Sequence, residues 1–289
     1  MLPLIKLLRP HQWLKNGFVL VGLLFAHAWN DGARVEQALL SCAAFCLLSS
    51  AVYIFNDFLD RASDRLHPTK RHRPLASGAV SVNAALALML VCMAAGLWLA
   101  FGASNAPWVF FLYIAINIAY TLGLKHVVVL DVFLIASGFM LRLLAGTVGI
   151  GIAPSQWLLL CGLMLTLFLG FAKRRAELAV LPEDAAGHRR VLDQYSEALL
   201  DQFLAIAAAC TVVTYSLYTV SSETMSLHGS NHLILTVPFV LYGLLHYLFR
   251  LQRRGGGGDP ARELLSDPHL IAAVAGWLAT VLAVLAGRL

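Results

Sequence analysis

Asn56-Asp57-Phe58-Leu59-Asp60-Arg61-Ala62-Ser63-Asp64-Arg65 follows directly on the apolar run 37–56. Within nine residues it gathers three carboxylates and a carboxamide, and the cations Arg61, Arg65, Lys70, Arg71 and Arg73 accompany them before the next apolar run. Charge at that density is costly inside lipid. The stretch therefore marks the point where a membrane helix leaves the bilayer.

The rest of the chain supports that reading. Its 289 residues are 59% hydrophobic and only 13% charged, with mean hydropathy +0.74, against about a quarter charged in soluble domains. An ordinary soluble domain is excluded. Nine stretches approach the roughly 20 apolar residues that a bilayer core requires. They are 17–30, 37–56, 80–101, 106–123, 128–148, 155–172, 203–223, 232–249 and 269–287. The spacing predicts an all-α, polytopic membrane protein with nine transmembrane helices, forming one domain over 1–289. No cleavable leader is expected, because Lys6, Arg9 and Lys15 interrupt the start and Pro3 and Pro10 break it.

Lys and Arg set the orientation. With the N-terminus in the cytoplasm, 18 of the 21 basic residues fall inside; Arg34 and Arg288 fall outside and Arg142 lies within a span. The long polar connections 57–79, 173–202 and 250–268 also face inward, the last with a flexible hinge at Gly255–Gly258. The working end is predicted at the cytoplasmic face. The net charge of +5 is a product of this topology, so nucleic acid is not implied. Cys42, Cys46, Cys92, Cys161 and Cys210 lack metal or disulfide spacing and read as packing residues. His27, His228, His232 and His246 are isolated in sequence, and no catalytic role is expected for them.

At about 100° per residue, Asn56, Asp60 and Asp64 advance by small steps, and Asp57 lies close to the same arc. If the helix continues past the membrane surface, four oxygen-bearing side chains share one face. A hard cation relieves the repulsion among such carboxylates, and oxygen ligands without His or Cys suit Mg²⁺. Mg²⁺ commonly combines one or two carboxylates with substrate phosphates, and Lys70, Arg71 and Arg73 follow close behind. The bland alternative is a solvated charged loop with capping aspartates.

Asp131 is the only acidic residue between Asp64 and Glu177. It and Arg142 either serve the site or form an intramembrane ion pair that fixes packing. Lys173, Arg174 and Glu177 share a helix face that can turn to the same mouth, whereas Arg175 reads as topology alone. Trp13 looks like an interfacial anchor, and Lys15 and Asn16 are within reach of the mouth.

On these residues the sequence resembles the UbiA superfamily of intramembrane prenyltransferases. The carriers are Asn56-Asp57-x-x-Asp60-x-x-x-Asp64-Arg65, Arg73-Pro74-x-x-Ser77-Gly78 and Tyr120…Lys125…Asp131. The family pattern has a second aspartate four residues after the one matched by Asp131, and here that place is Ile135. Arg9-Pro-His-Gln-Trp-Leu-Lys15-Asn16, His67-Pro68-x-Lys70, Gly138-Phe139-x-x-Arg142 and Ala172-Lys173-Arg174-x-Ala176-Glu177 look most like the phosphoribosyltransferase branch that serves decaprenyl phosphate. That resemblance implies a UbiA-type bundle, Mg²⁺, and transfer of 5-phosphoribose from phosphoribosyl pyrophosphate to a polyprenyl phosphate for cell-envelope glycan synthesis. It implies catalytic Asp60, Asp64 and Asp131, with metal on Asn56, Asp60 and Asp64. Substrate contacts fall to Lys15, Asn16, Asp57, Arg65, Lys70, Arg73, Tyr120, Lys125, Arg142, Lys173, Arg174, Glu177 and Tyr195. A bacterial inner membrane with the site facing the cytoplasm is expected, and a homo-oligomer is left open. The rivals are a prenyltransferase using an aromatic or isoprenoid acceptor, and a transporter with a cation site.

Overall fold

The computed structural model describes residues 3–25, 27–67, 70–179, 192–254, 263 and 266–287. Pro68, Arg189, Arg190, the Gly255–Gly258 hinge, Arg262 and Arg288 of the sequence reading lie outside them. Among the described residues all regular structure is helical. The helices are α1 (Pro3–Leu8), α2 (Phe18–Phe25), α3 (Gly32–Leu59), α4 (Arg61–Leu66), α5 (Val82–Ala103) and α6 (Trp108–Leu122). They continue as α7 (Leu130–Ala145), α8 (Gln156–Ala179), α9 (Glu197–Val220), α10 (Ser222–His228), α11 (Val237–Arg254) and α12 (Pro268–Leu285).

Local chemistry sets several starts. Asp31 accepts from the amides of Ala33 and Arg34 ahead of α3, Ser81 caps α5 through Ala84, and Asp267 caps α12 through His269 and Leu270. Each side chain satisfies donors that a helix start leaves orphaned.

Seven described helical segments are long and apolar enough to cross a membrane: Gly32–Leu59, Val82–Ala103, Leu130–Ile150, Gln156–Ala179, Glu197–Val220, His232–Arg253 and Pro268–Leu285. Two expected spans are shorter. The stretch expected at 106–123 is the 15-residue α6, and the one at 17–30 is the eight-residue α2 behind a 3₁₀ turn, Pro10–Gly17. His27, left-handed at φ 51°, lies just beyond α2. At 28 residues, α3 runs about 42 Å, longer than a hydrocarbon core of about 30 Å. Its last turn carries Asn56 and Asp57.

The chain divides into two compact units, one of Met1–Lys125 with Gly138–Pro154, the other of His126–Ser137 with Ser155–Leu289. In the first, Phe45, Leu48, Val109, Phe110, Tyr113 and Ala145 form a core, and Leu7, Ile54, Leu75, Val80 and Ala85 form a smaller one. Small residues allow close helix approach. A Cβ on Gly146 would stand 1.8 Å from the Val19 carbonyl oxygen. In the second unit, Val132, Phe168, Phe171, Leu200, Leu204 and Tyr247 are packed together. Gly170 admits Val132, whose Cγ1 would lie 2.6 Å from an added Cβ. That approach seats the start of α7, and with it Asp131, against α8.

Candidate active site

The acidic stretch straddles a one-residue break. α3 stops at Leu59, Asp60 takes φ −83° and ψ 0°, and α4 opens at Arg61. Backbone bonds from Asp60 N to Asn56 O (2.9 Å) and from Asp64 N to Asp60 O (2.8 Å) still carry the helical ladder across it. Asp57 and Asp64 are each 3% exposed, while Asn56 and Asp60 are partly exposed.

Cations hold all three carboxylates. Arg73 Nη1 donates to Asp57 Oδ1 at 3.0 Å and to Asp64 Oδ2 at 2.7 Å. Arg9 Nη2 donates to the same Asp57 oxygen at 2.5 Å and its guanidinium lies 5.0 Å from the Tyr53 ring centre. Lys125 Nζ reaches Asp60 Oδ1 at 3.3 Å. The loop bearing Arg73 is tied to α4, because Arg61 Nε donates to the Leu75 carbonyl (3.2 Å) and Arg65 Nε to that of Ala76 (3.1 Å). Arg65, expected on the substrate, thus uses one donor to aim Arg73. Among the described residues, no three His, Cys, Asp or Glu side chains are gathered for a metal ion. Asp64 converges with Asp57, and Asp60 turns toward Lys125.

A second constellation belongs to the other unit. Asp131 and Arg174 are fully buried, with Arg174 Nε 2.8 Å from Asp131 Oδ2. Arg174 also pairs with Glu177, and Tyr195 donates its hydroxyl to Asp131 Oδ1 at 3.0 Å. The same hydroxyl accepts the Val129 amide at 2.7 Å. Val129 is left-handed at φ 68°, a strained state for a β-branched residue, so Tyr195 clamps the turn that presents Asp131. Burial, with the Asp131 charge adding to it against the Val129 amide, pushes the Tyr195 phenol up to about 12. Arg175 is more than a topology marker, since it bridges to Glu197 (2.9 Å) and Asp201 (3.0 Å) on α9.

A third lies in the first unit. Arg142, 5% exposed, donates to Asn16 Oδ1 (2.7 Å), the Gly138 carbonyl (2.7 Å) and the Tyr113 hydroxyl (3.2 Å). Its guanidinium lies 4.8 Å from the Tyr113 ring centre, 5.2 Å from Phe45 and 5.6 Å from Phe139. Asn16 in turn bonds Cys46 Sγ at 3.2 Å. The described partners of Arg142 are all neutral.

The structure does not join Lys15, Lys70, Tyr120 and Lys173 to these sets by a described ion pair, although each makes interactions of its own. The Lys70 amide meets His67 Nδ1 at 3.3 Å. Arg9 heads the N-terminal motif Arg9–Asn16 but carries no expected site role, and Tyr113, inside an apolar helix, has no signal in the sequence. Nor is His246 isolated, since its Nε2 lies 3.1 Å from Asp267 Oδ1 and its ring centre lies 4.8 Å from that of His269, the rings tilted by 37°. A cavity of about 590 Å³ beside Met225, His228, Ser230, Asn231, His232 and Val284 contains none of the expected site residues.

The sequence model described as the UbiA prenyltransferase family matches residues 17–266. Decaprenyl-phosphate phosphoribosyltransferase of Corynebacterium glutamicum is 36% identical over 282 residues, covering 95% of this chain and 84% of that protein. The enzyme of the same name from Mycobacterium tuberculosis is 32% identical over 286 residues, covering 96% and 92%. Among solved structures, a UbiA homologue from Archaeoglobus fulgidus bound to DMAPP and Mg²⁺ superposes with TM-score 0.74 at 19% identity, covering 98% of this chain and 99% of that one.

Proposed function

The chain belongs to the UbiA prenyltransferase family and is a transferase, and from that premise we propose that it moves 5-phosphoribose from phosphoribosyl pyrophosphate to a polyprenyl phosphate, releasing pyrophosphate. The observation that carries this reading is identity of 32–36% over nearly the whole chain to enzymes named for decaprenyl phosphate and phosphoribosyl transfer. We infer in addition nine membrane passages, a cytoplasmic N-terminus and a bacterial inner membrane, from the distribution of basic residues.

The donor set fits Mg²⁺ in kind. Asp57 and Asp64 present hard oxygens to one cationic nitrogen, and Mg²⁺ needs only one or two carboxylates beside phosphates and water. Asp64 and Asp57, with Asn56 and Asp60 beside them, would hold it, and when bound it would neutralise charge on the departing diphosphate. The chain's own residues do the rest. Arg73, Arg9 and Lys125 already surround the carboxylates and are positioned to take phosphate oxygens. Arg142, held by neutral partners, offers a fixed positive charge to a further anionic group. The acceptor phosphate is ionised at neutral pH, so it attacks the ribosyl C1 carbon without a strong general base while the bond to diphosphate breaks. Expelling diphosphate from a carbon that gains cationic character is a demand that ribosyl and allylic donors share.

The test is incubation of membranes containing the protein with labelled phosphoribosyl pyrophosphate and polyprenyl phosphate. Mg²⁺-dependent label in the lipid fraction is expected, and Asp64→Asn should abolish it. Turnover of a prenyl diphosphate with no ribosyl transfer would establish the prenyl-transfer reading instead, which the fold of the DMAPP-bound neighbour favours.

A further inference from the structure

Three carboxylates of the acidic stretch meet three cations of the same unit. Asp57 is bonded to Arg9 and Arg73, Asp64 to Arg73, and Asp60 to Lys125. Each carboxylate is paired with at least one cation of the chain itself. A single nitrogen, Arg73 Nη1, bridges the two carboxylates that are buried. That is the place a divalent ion shared by Asp57 and Asp64 would take.

We propose that Arg73 is a placeholder cation that makes divalent-metal binding depend on the arrival of a diphosphate. A bare dication would have to displace the guanidinium from two buried carboxylates and leave Arg73, 27% exposed at its side chain, next to it without a counter-charge. Like charges at such range in a partly desolvated site repel strongly. A diphosphate changes the balance. Its oxygens accept the guanidinium fork of Arg73 and that of Arg9, which frees the carboxylates for the metal as the anion supplies the missing negative charge. Metal and donor therefore bind as a pair. The inference rests on the Mg²⁺ role proposed above, but not on which diphosphate is the donor.

The full chain in lipid nanodiscs is titrated with Mn²⁺, and bound ion is read by electron paramagnetic resonance, with and without inorganic pyrophosphate. The wild-type protein should bind Mn²⁺ weakly alone and at least about tenfold more tightly with pyrophosphate. Arg73→Gln should bind Mn²⁺ alone at least about tenfold more tightly than wild type, and adding Asp64→Asn should cancel that gain. Equal wild-type affinity with and without pyrophosphate overturns the proposal without recourse to any variant. So does an Arg73→Gln protein that keeps its thermal transition yet shows no gain, or a gain that survives Asp64→Asn. If ribosyl transfer fails while prenyl diphosphate is consumed, the substrate assignment falls and the Mn²⁺ result still judges Arg73. If label enters lipid but the Mn²⁺ pattern is absent, only the placeholder falls.

Discussion

Tyr195 shows what one hydroxyl can hold. It accepts the amide of strained Val129 and donates to buried Asp131, so Tyr195→Phe strands a donor and a carboxylate oxygen together. Unmet buried groups cost about 1–3 kcal/mol each, and a stability loss of about 2–4 kcal/mol in denaturant unfolding is expected. The phenol has a pH signature as well. Its folded pKa, pushed up to about 12, exceeds the unfolded value of about 10. The folded state keeps the proton where the unfolded state loses it. This contribution is therefore complete below about pH 10 and is lost as the pH rises through about 12. Tyr195→Phe should lack that part of the alkaline decline; an unchanged slope would remove the clamp. At this scale the sequence displayed the acids and concealed their partners. The composition and spacing of Asn56–Asp64 could be read directly, whereas Arg9 lies 48 residues from Asp57 and Arg142 lies 126 from Asn16. Pairings at such separations depend on packing that no local pattern encodes.

Helices obeyed their local signals better at some ends than at others. Asp31, Ser81 and Asp267 are cap residues at the starts of α3, α5 and α12, and such side chains are visible in sequence. The break at Asp60 was not visible, because the residues around it would fit an unbroken helix. Asp267 combines cap and charge. Burial would push its carboxyl up, but the Leu270 amide, the Arg250 guanidinium and His246 outweigh it and bring it down to about 2. With the unfolded value near 3.9, its stabilisation is present above about pH 4 and is lost as the pH falls through about 2. Asp267→Asn retains a good cap but loses that acid-dependent contribution, and Asp267→Ala loses about 1 kcal/mol more. Unfolding curves at neutral and acidic pH separate the two effects. Helix contact is equally specific at Gly146, where an added methyl would meet the Val19 carbonyl. Gly146→Ala must push α2 from α7 and should cost about 2 kcal/mol or more, read as a lowered midpoint in thermal unfolding. An unaffected midpoint would mean that α2 is free to shift.

For the whole molecule, charge partition makes the strongest claim. Assigning 18 of 21 basic residues to one side requires an even number of crossings before each of the inward connections, and it survives only if all nine stretches cross. Seven described helical segments are long enough to do so alone. The other two, α2 and α6, must be helped, α2 by the 3₁₀ turn before it, since a short span is accommodated by thinning of the bilayer or by flanking residues at modest cost. The sequence could show that these stretches are apolar, but not that Pro10, Gly17 and His27 would shorten the first helix, because the backbone state of His27 is a tertiary outcome. If α6 failed to cross, the acidic mouth and the basic loops after α8 would face opposite compartments; if α2 failed, every later loop would change sides together and part from the N-terminus. Single cysteines decide this, since the native five are all free and none is fully exposed. Ser63→Cys, exposed on α4, should react with an impermeant maleimide only in opened cells, and Ser226→Cys, exposed on α10, in intact ones. Labelling of both in the same compartment would break the nine-span count, and with it the convergence of donor, metal and lipid phosphate at one membrane face.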